Sequence, residues 1–161
     1  MAVKKIINNY FNSAVKIYRV KKIKDKRGYL KKLYSENEGI NDLYISISKK
    51  KVFRGIHYIE SKKKIKKYIY CLGGEFVSVF VDLRKNSKTY MDVKEFLFNQ
   101  DIYMAEINGK IGHGMLSLKD NTLLLSSTNI KYNKKNERKL NWKKIKFNWP
   151  FKNLILSKKD S

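Results

Sequence analysis

Gly74-Glu75-Phe76-Val77-Ser78-Val79-Phe80-Val81-Asp82-Leu83-Arg84 lies near the middle of the chain, and its apolar part is almost unbroken. A strand with one wet face would alternate. The run Phe76-Val77-Ser78-Val79-Phe80-Val81 instead suits a strand covered on both faces, as in a barrel or sandwich. Asp82 and Arg84 read as structural residues that close it. Working outward, short runs rich in Val, Ile, Tyr and Phe recur at 15–20, 29–33, 43–48, 52–57, 68–72, 93–98, 102–107, 114–118 and 122–128. Turn-like clusters such as Lys85-Asn86-Ser87-Lys88 and Lys119-Asp120-Asn121 separate them. Many short strands without a long helical period predict an all-β sandwich, jelly roll or barrel. Residues 4–12 carry the expectation of a short helix, and 133–141 that of a polar loop. Trp142 and the Trp149-Pro150 pair are expected to anchor an irregular C-terminal segment.

The chain has 161 residues, which predicts one domain over 1–161 with one sizeable core. Hydrophobic residues make up 42%, too many for a disordered chain. The single cysteine, Cys71, excludes an internal disulfide, and its apolar surroundings predict a buried, inert thiol. No apolar run is long enough to span a membrane, and no secretory leader is legible at the N-terminus. A reducing, cytoplasmic setting is expected. The net charge of +23 admits a polyanion partner, but the 37 basic residues are spread along the chain rather than gathered in an arm. A lysine-rich compositional bias explains them better, so neither nucleic acid nor membrane is expected as a partner. Such a field would still favour a phosphorylated substrate.

Upstream of the opening stretch stand Arg54-Gly55-Ile56-His57-Tyr58 and Lys67. An Arg, a His and a Lys at a barrel mouth are parts for taking a proton from the carbon beside a ketone. The second of the two histidines lies in Gly112-His113-Gly114. Isolated histidines without a Cys cluster predict no metal site. There is no P-loop, Rossmann glycine pattern or nucleophile elbow.

Together these segments resemble the dTDP-4-dehydrorhamnose 3,5-epimerase family, over nearly the whole chain after about residue 16. Asp25-Lys26-Arg27-Gly28-Tyr29 is similar to the family's D-x-R-G-F, and Ser46 and Ser48 to its S-x-S. Arg54-Gly55-Ile56-His57-Tyr58 resembles R-G-L-H-[YF]. Lys67 to Arg84 resembles K-L-V-x-x-x-x-G-E-V-F-D-V-x-V-D-x-R, and Ser87-Lys88-Thr89-Tyr90 resembles S-P-T-[FY] without its Pro. Gly112-His113-Gly114-Met115 is similar to A-H-G-F, and Trp149-Pro150 with Leu156-Ser157-Lys158-Lys159-Asp160 to the closing W-P and L-S-x-K-D. Each motif alone is weak; their shared order carries the resemblance.

The resemblance implies a cupin-type jelly-roll β-barrel with short N- and C-terminal irregular or helical segments. It also implies a cofactor-independent isomerase acting on a nucleoside-diphosphate 4-keto-6-deoxy sugar, at C3 and/or C5, in deoxysugar or surface-glycan synthesis. His57 would be the base and Asp160 its orienting carboxylate. On sequence alone a near-terminal Asp would read as a solvated tail charge. Lys67 would stabilise the enolate, although beside Lys63, Lys64 and Lys66 it is unremarkable by itself. Arg27 and Arg54 would contact the diphosphate or sugar. His113, Ser46, Ser48 and Tyr132 complete the expected substrate contacts. The early Arg element implies a homodimer in which Arg27 crosses to the partner's site.

The chain departs from the family at the tyrosine that donates a proton on the face opposite the base. Counting thirteen positions on from His113 reaches Ser126, and serine is a far weaker acid. Tyr132, Tyr103 or Tyr70 are candidate replacements. Tyr44 stands for a conventional Asn, Ile59 for a Gln, and Ile107-Asn108-Gly109-Lys110-Ile111 lacks a family Pro. These changes point to altered stereochemical scope, with a sugar 3,4-ketoisomerase or a catalytically impaired nucleotide-sugar-binding relative as alternatives. A basic nucleic-acid-binding barrel has only the charge in its favour.

Overall fold

The computed structural model describes residues 4–33, 39–101 and 103–160. Six strands form one antiparallel layer, in the order β1 (Lys4–Tyr10), β2 (Val15–Val20), β10 (Tyr103–Asn108), β7 (Lys66–Gly73), β12 (Thr122–Thr128) and β5 (Asp42–Ser48). Five form the facing layer: β13 (Glu137–Lys139), β6 (Phe53–Ile59), β11 (Ile111–Ser117), β8 (Phe76–Asp82) and β9 (Val93–Phe98). A separate hairpin pairs β3 (Ile23–Asp25) with β4 (Gly28–Leu30). This is the expected all-β cupin-type jelly roll. The only helical element among the described residues is the 3₁₀ turn Trp142–Lys144, capped by the Asn141 side chain.

The interior between the layers is apolar at one end. Val15, Ile17, Ile69, Cys71, Ala105, Ile107 and Leu124 of the six-stranded layer meet Phe76, Phe80, Phe98, Ile111 and Met115 of the other. The near-continuous run of β8 now has its reason. Phe76, Ser78 and Phe80 face this interior, whereas Val79 and Val81 face outward under the C-terminal segment. There Phe53, Ile56 and Leu116 are roofed by Ile145, Trp142, Phe147 and Trp149. The Phe53 and Trp149 rings meet edge-on at 4.7 Å, so both tryptophans anchor the tail as expected. On the outer face of the six-stranded layer Tyr18, Val20, Tyr68, Tyr70 and Met104 form a smaller cluster under Leu33. Each fully buried large side chain contributes roughly 1.5–3 kcal/mol by leaving water, so all three clusters matter for stability.

Two sequence expectations fail here. Residues 4–12 are not helical: β1 occupies 4–10 and pairs antiparallel with β2. Ile6, Ile7, Tyr10 and Phe11 recur at helical spacing, but β2 offers an open edge whose backbone groups need hydrogen bonds, and β1 supplies them. The expected loop at 133–141 contains β13, which covers the free edge of β6. An all-polar strand leaves no alternation to read, and Glu137, Arg138 and Lys139 are suitable charges for a sheet edge. The expected start of a strand at Ile102 falls outside the described residues.

Asp82 and Arg84 are structural, as expected. Asp82 is fully buried and accepts from the Arg84 guanidinium at 2.7 and 2.9 Å and from the Thr89 hydroxyl at 2.6 Å. Burial alone would raise its pKa, but these donors outweigh it and hold the carboxyl well below the usual range. Arg84 also donates to the Phe11 carbonyl, tying the β1–β2 turn to the end of β8. Cys71 is buried, and burial pushes its thiol up to about 11, which makes it inert. No helix among the described residues is long and apolar enough to cross a membrane.

Candidate active site

At the other end the two layers part around a cavity of about 580 Å³, within the ~300–1,000 Å³ common for small-molecule sites. Arg54 and His57 both line it from β6. Three residues apart on a regular strand, they would face opposite sides. The register shows why they do not: His57 pairs with His113 and Arg54 with Met115, so β6 carries one extra residue between the pairs. This bulge, at Gly55-Ile56, turns Ile56 outward into the tail cluster and both polar side chains inward. Gly55 has φ +136°, and a Cβ there would lie 2.6 Å from the Gly114 Cα. A Cβ on Gly114 would lie 2.7 Å from both Phe53 and Ile56. The glycines flanking the histidines therefore let β6 and β11 approach closely at the bulge.

His57 Nε2 lies 2.7 Å from Asp160 Oδ1. The Asp160 side chain is 5% exposed, so this near-terminal carboxylate is folded into the site rather than solvated. Ser157 Oγ donates to its other oxygen at 3.0 Å, and the Asp160 N–H donates to the Ser157 carbonyl. With Nε2–H given to Asp160, Nδ1 is left as the basic nitrogen. The tail is held at two further places. Ile155 bridges to Val52 and accepts from the Phe53 N–H at 3.0 Å. Lys139 donates to the Lys159 carbonyl while Lys159 pairs with Glu137. Since Lys139 is the register partner of His57, β13 docks the tail directly beside the base. The sequence reading missed β13 and Ser157 as parts of this arrangement.

His113 faces the same cavity, 7% exposed, with Nε2 3.1 Å from Ser78 Oγ and its ring stacked on Phe80 at 5.4 Å. Burial first, then the nearby charges of Lys67 and His57, hold its pKa well below the usual histidine value. It is a neutral hydrogen-bonding ring, not an acid of the neutral range. The family pattern quoted above has an Asp where Ser78 stands, a departure the sequence reading passed over.

On the facing wall, Lys67 of β7 lies beside Thr128 and Ile107 in register. Leu124, Ser126 and Thr128 of β12 alternate toward the cavity, with Asp42, Tyr44 and Ser46 of β5 as their neighbours. Ser126 is 1% exposed and its hydroxyl has no hydrogen-bond partner.

The expected substrate contacts divide. Arg54, Ser46, His113 and Tyr132 line the cavity with His57, Lys67 and Asp160. Ser48 does not; its hydroxyl accepts from Arg54 Nε at 3.1 Å and so orients the guanidinium. Arg27 lies in the turn of the β3–β4 hairpin, 84% exposed and paired with Asp25 at 2.6 Å, away from the cavity of its own chain. Among the candidate replacement acids, Tyr70 is excluded: it is buried on the outer face and its hydroxyl donates to the Leu33 carbonyl. The side chain of Tyr103 lies outside the described residues. Among the described residues no group of three or more His, Cys, Asp or Glu is placed to hold a metal ion.

The dTDP-4-dehydrorhamnose 3,5-epimerase family matches residues 13–161. The Shigella flexneri protein named dTDP-4-dehydrorhamnose 3,5-epimerase is 32% identical over 158 residues, covering 91% of this chain and 87% of its own. The crystal structure of the Sulfolobus tokodaii protein of that name superposes with a TM-score of 0.88 at 26% identity, over 99% of this chain and 93% of that one. The Bacillus anthracis protein, solved with TDP and PPi bound, gives 0.90 at 24% identity over 98% and 96%, a likeness of fold. The extent of these matches, and the motifs that line the cavity, show that the chain belongs to the dTDP-4-dehydrorhamnose 3,5-epimerase family.

Proposed function

We propose that this protein is a cytoplasmic epimerase of a nucleoside-diphosphate 4-keto-6-deoxy sugar. The observation that carries the reading is the His57–Asp160 pair at 2.7 Å, opening onto a cavity that also holds Lys67 and His113. Nδ1 of His57 takes the proton from the carbon beside the C4 ketone. Asp160 keeps the ring in the competent tautomer and offsets the charge it gains. The electrons of the broken C–H bond pass to the ketone oxygen. Lys67 stabilises that oxyanion more than the neutral ketone, which is what lowers the barrier. Neutral His113 hydrogen-bonds the sugar, with Ser78 setting its tautomer. Arg54, oriented by Ser48, holds the diphosphate with a fork suited to phosphate oxygens, and Ser46 and Tyr132 line the remaining contacts.

The working unit is a homodimer. The sheet ends at β5, whose Leu43, Ile45 and Ile47 are 58–62% exposed, an uncovered apolar edge of the kind that soluble proteins shield. The β3–β4 hairpin exposes Ile23, Tyr29 and Leu30 next to Arg27. A partner's hairpin laid against the β5 edge would cover both and bring Arg27 to the cavity it does not reach in its own chain. Sedimentation tests the assembly: a monomer at micromolar concentration would exclude it.

The activity is tested by proton NMR in deuterated water with dTDP-4-keto-6-deoxyglucose, beside a His57→Ala control. Loss of the C3 or C5 proton signal with inversion, absent in the control, is the expected result. Exchange without inversion would favour a 3,4-ketoisomerase, for which the serine at 126, where the family has its proton-donating tyrosine, gives specific support. Binding without exchange would mark an impaired relative.

A further inference from the structure

Inverting a carbon by deprotonation needs a second group that returns a proton to the opposite face. The base, His57, belongs to the five-stranded wall, so that proton must come from the six-stranded wall. The lining side chains there with exchangeable protons are Ser46, Ser126, Thr128, Lys67 and Tyr44, together with the carboxyl of Asp42. Aliphatic hydroxyls are very weak acids, Asp42 stands at the first position of β5 opposite Thr128 rather than Ser126, and Lys67 is engaged with the enolate oxygen. The phenol of Tyr44 remains.

Register supports it. Tyr44 and Ser126 are direct partners across β5 and β12. Directly opposed side chains on one face have Cβ atoms roughly 4.5–5.5 Å apart. A small residue at 126 thus leaves room beside the Tyr44 ring, where the family's larger tyrosine would stand. Other tyrosines fit less well. Tyr58 follows His57 on the base's own strand, with Lys110 over its ring at 5.3 Å. Tyr132 stands beyond the end of β12 and is 61% exposed.

The geometry points to Tyr44 as the acid on the face opposite His57, with Ser126 as the small neighbour that leaves its ring space. In the step, the Tyr44 O–H bond breaks and a C–H bond forms at the enolate carbon. The resulting phenolate regains a proton from water that enters the cavity Tyr44 lines. His57 returns its own proton to solvent.

The assignment rests on the epimerase reading, and one experiment separates the two. Tyr44→Phe is compared with the parent protein at saturating substrate in deuterated water, following washout and inversion at the same carbon. The expected result is inversion reduced by about 100-fold or more, within the range of lost general acids, with washout kept within about 3-fold of the parent. Inversion within about 3-fold of the parent would overturn the assignment and leave the epimerase reading standing. Loss of washout together with inversion would also overturn it, because Tyr44 would then act in binding. A parent protein that shows neither event would remove the reading and the assignment together. Thermal melting of Tyr44→Phe, expected within a few degrees of the parent, keeps misfolding from imitating the result.

Discussion

The two walls of the cavity are finished to different degrees. On the five-stranded wall every polar group with a role has a partner: His57 with Asp160, Asp160 with Ser157, His113 with Ser78, Arg54 with Ser48. On the six-stranded wall Ser126 is an orphan and Tyr44 is half in solvent. Proton removal is therefore preassembled, whereas proton return depends on what the substrate brings into register. Preorganised dipoles and oriented bases account for much of an enzyme's rate, so damage to the first wall should be the more severe.

His57→Ala should break that difference outright. Removing the base should lower solvent exchange by at least about 10⁴-fold, since neither Lys67 nor neutral His113 can replace it. Exchange within about 10-fold of the parent would move the base elsewhere. Next in size is Lys67→Met, which removes the cation facing the enolate. A loss of about 10²–10³-fold in kcat with KM changed far less is expected, as for other oxyanion stabilisers. An effect confined to KM would place Lys67 on the diphosphate instead.

The second wall can be sharpened by adding what it lacks. In a Tyr44→Phe background, Ser126→Tyr puts a phenol back on the register partner and should recover inversion by about 10-fold or more. On the first wall, Ser78→Asp places a carboxylate against His113. In the parent protein the His113 ring should stay neutral through the neutral range, because burial, Lys67 and His57 all disfavour its charged form. With Asp at 78 the ring should titrate at higher pH, read by NMR of its carbon-bound protons. An unchanged titration would mean that Ser78 does not control His113.

Outside the site, the buried Asp82–Arg84 pair gives a test of stability. The folded pKa of Asp82 lies below its unfolded value, so its stabilisation is fully present above the unfolded carboxylate pKa. It is lost as pH falls toward the folded value. Asp82→Ala should cost about 3 kcal/mol at neutral pH, because it strands a partly buried guanidinium. The gap in Tm between the variant and the parent should narrow in acid. A gap that is constant with pH would assign the loss to packing alone.

The sequence carried the parts of this arrangement whose chemistry repeats in short motifs. The strands at 15–20, 93–98 and 122–128 were legible to the residue, because each has β-branched or aromatic residues bounded by turn residues. The His57–Asp160 partnership was legible only through the closing L-S-x-K-D pattern, since nothing local says that a penultimate Asp will be buried. The bulge at Gly55-Ile56 was hidden, because two residues opposing one is a property of the pairing, not of either strand. β1 and β13 were hidden for a related reason. Both are edge strands, β13 wholly polar and β1 with its Ile and Tyr at helix-like spacing, and they exist because β2 and β6 present unpaired backbone. Tyr44 was noted as a departure from the family, but its place beside Ser126 follows only from the β5–β12 register.

The smallest effect is expected where the tail meets β13. Glu137→Gln removes the ion pair with Lys159, which is about half exposed. Exposed pairs are worth roughly 0.2–1 kcal/mol, so exchange should fall by about 2-fold. The backbone ladder of β13 on β6, the Ile155–Val52 bridge and the roof of tryptophans remain to deliver Asp160. A loss of about 10-fold or more would mean that the ion pair itself holds Asp160 against His57. The preassembled wall would then be only as rigid as one surface contact, and its rate should fall with added salt, which screens such pairs.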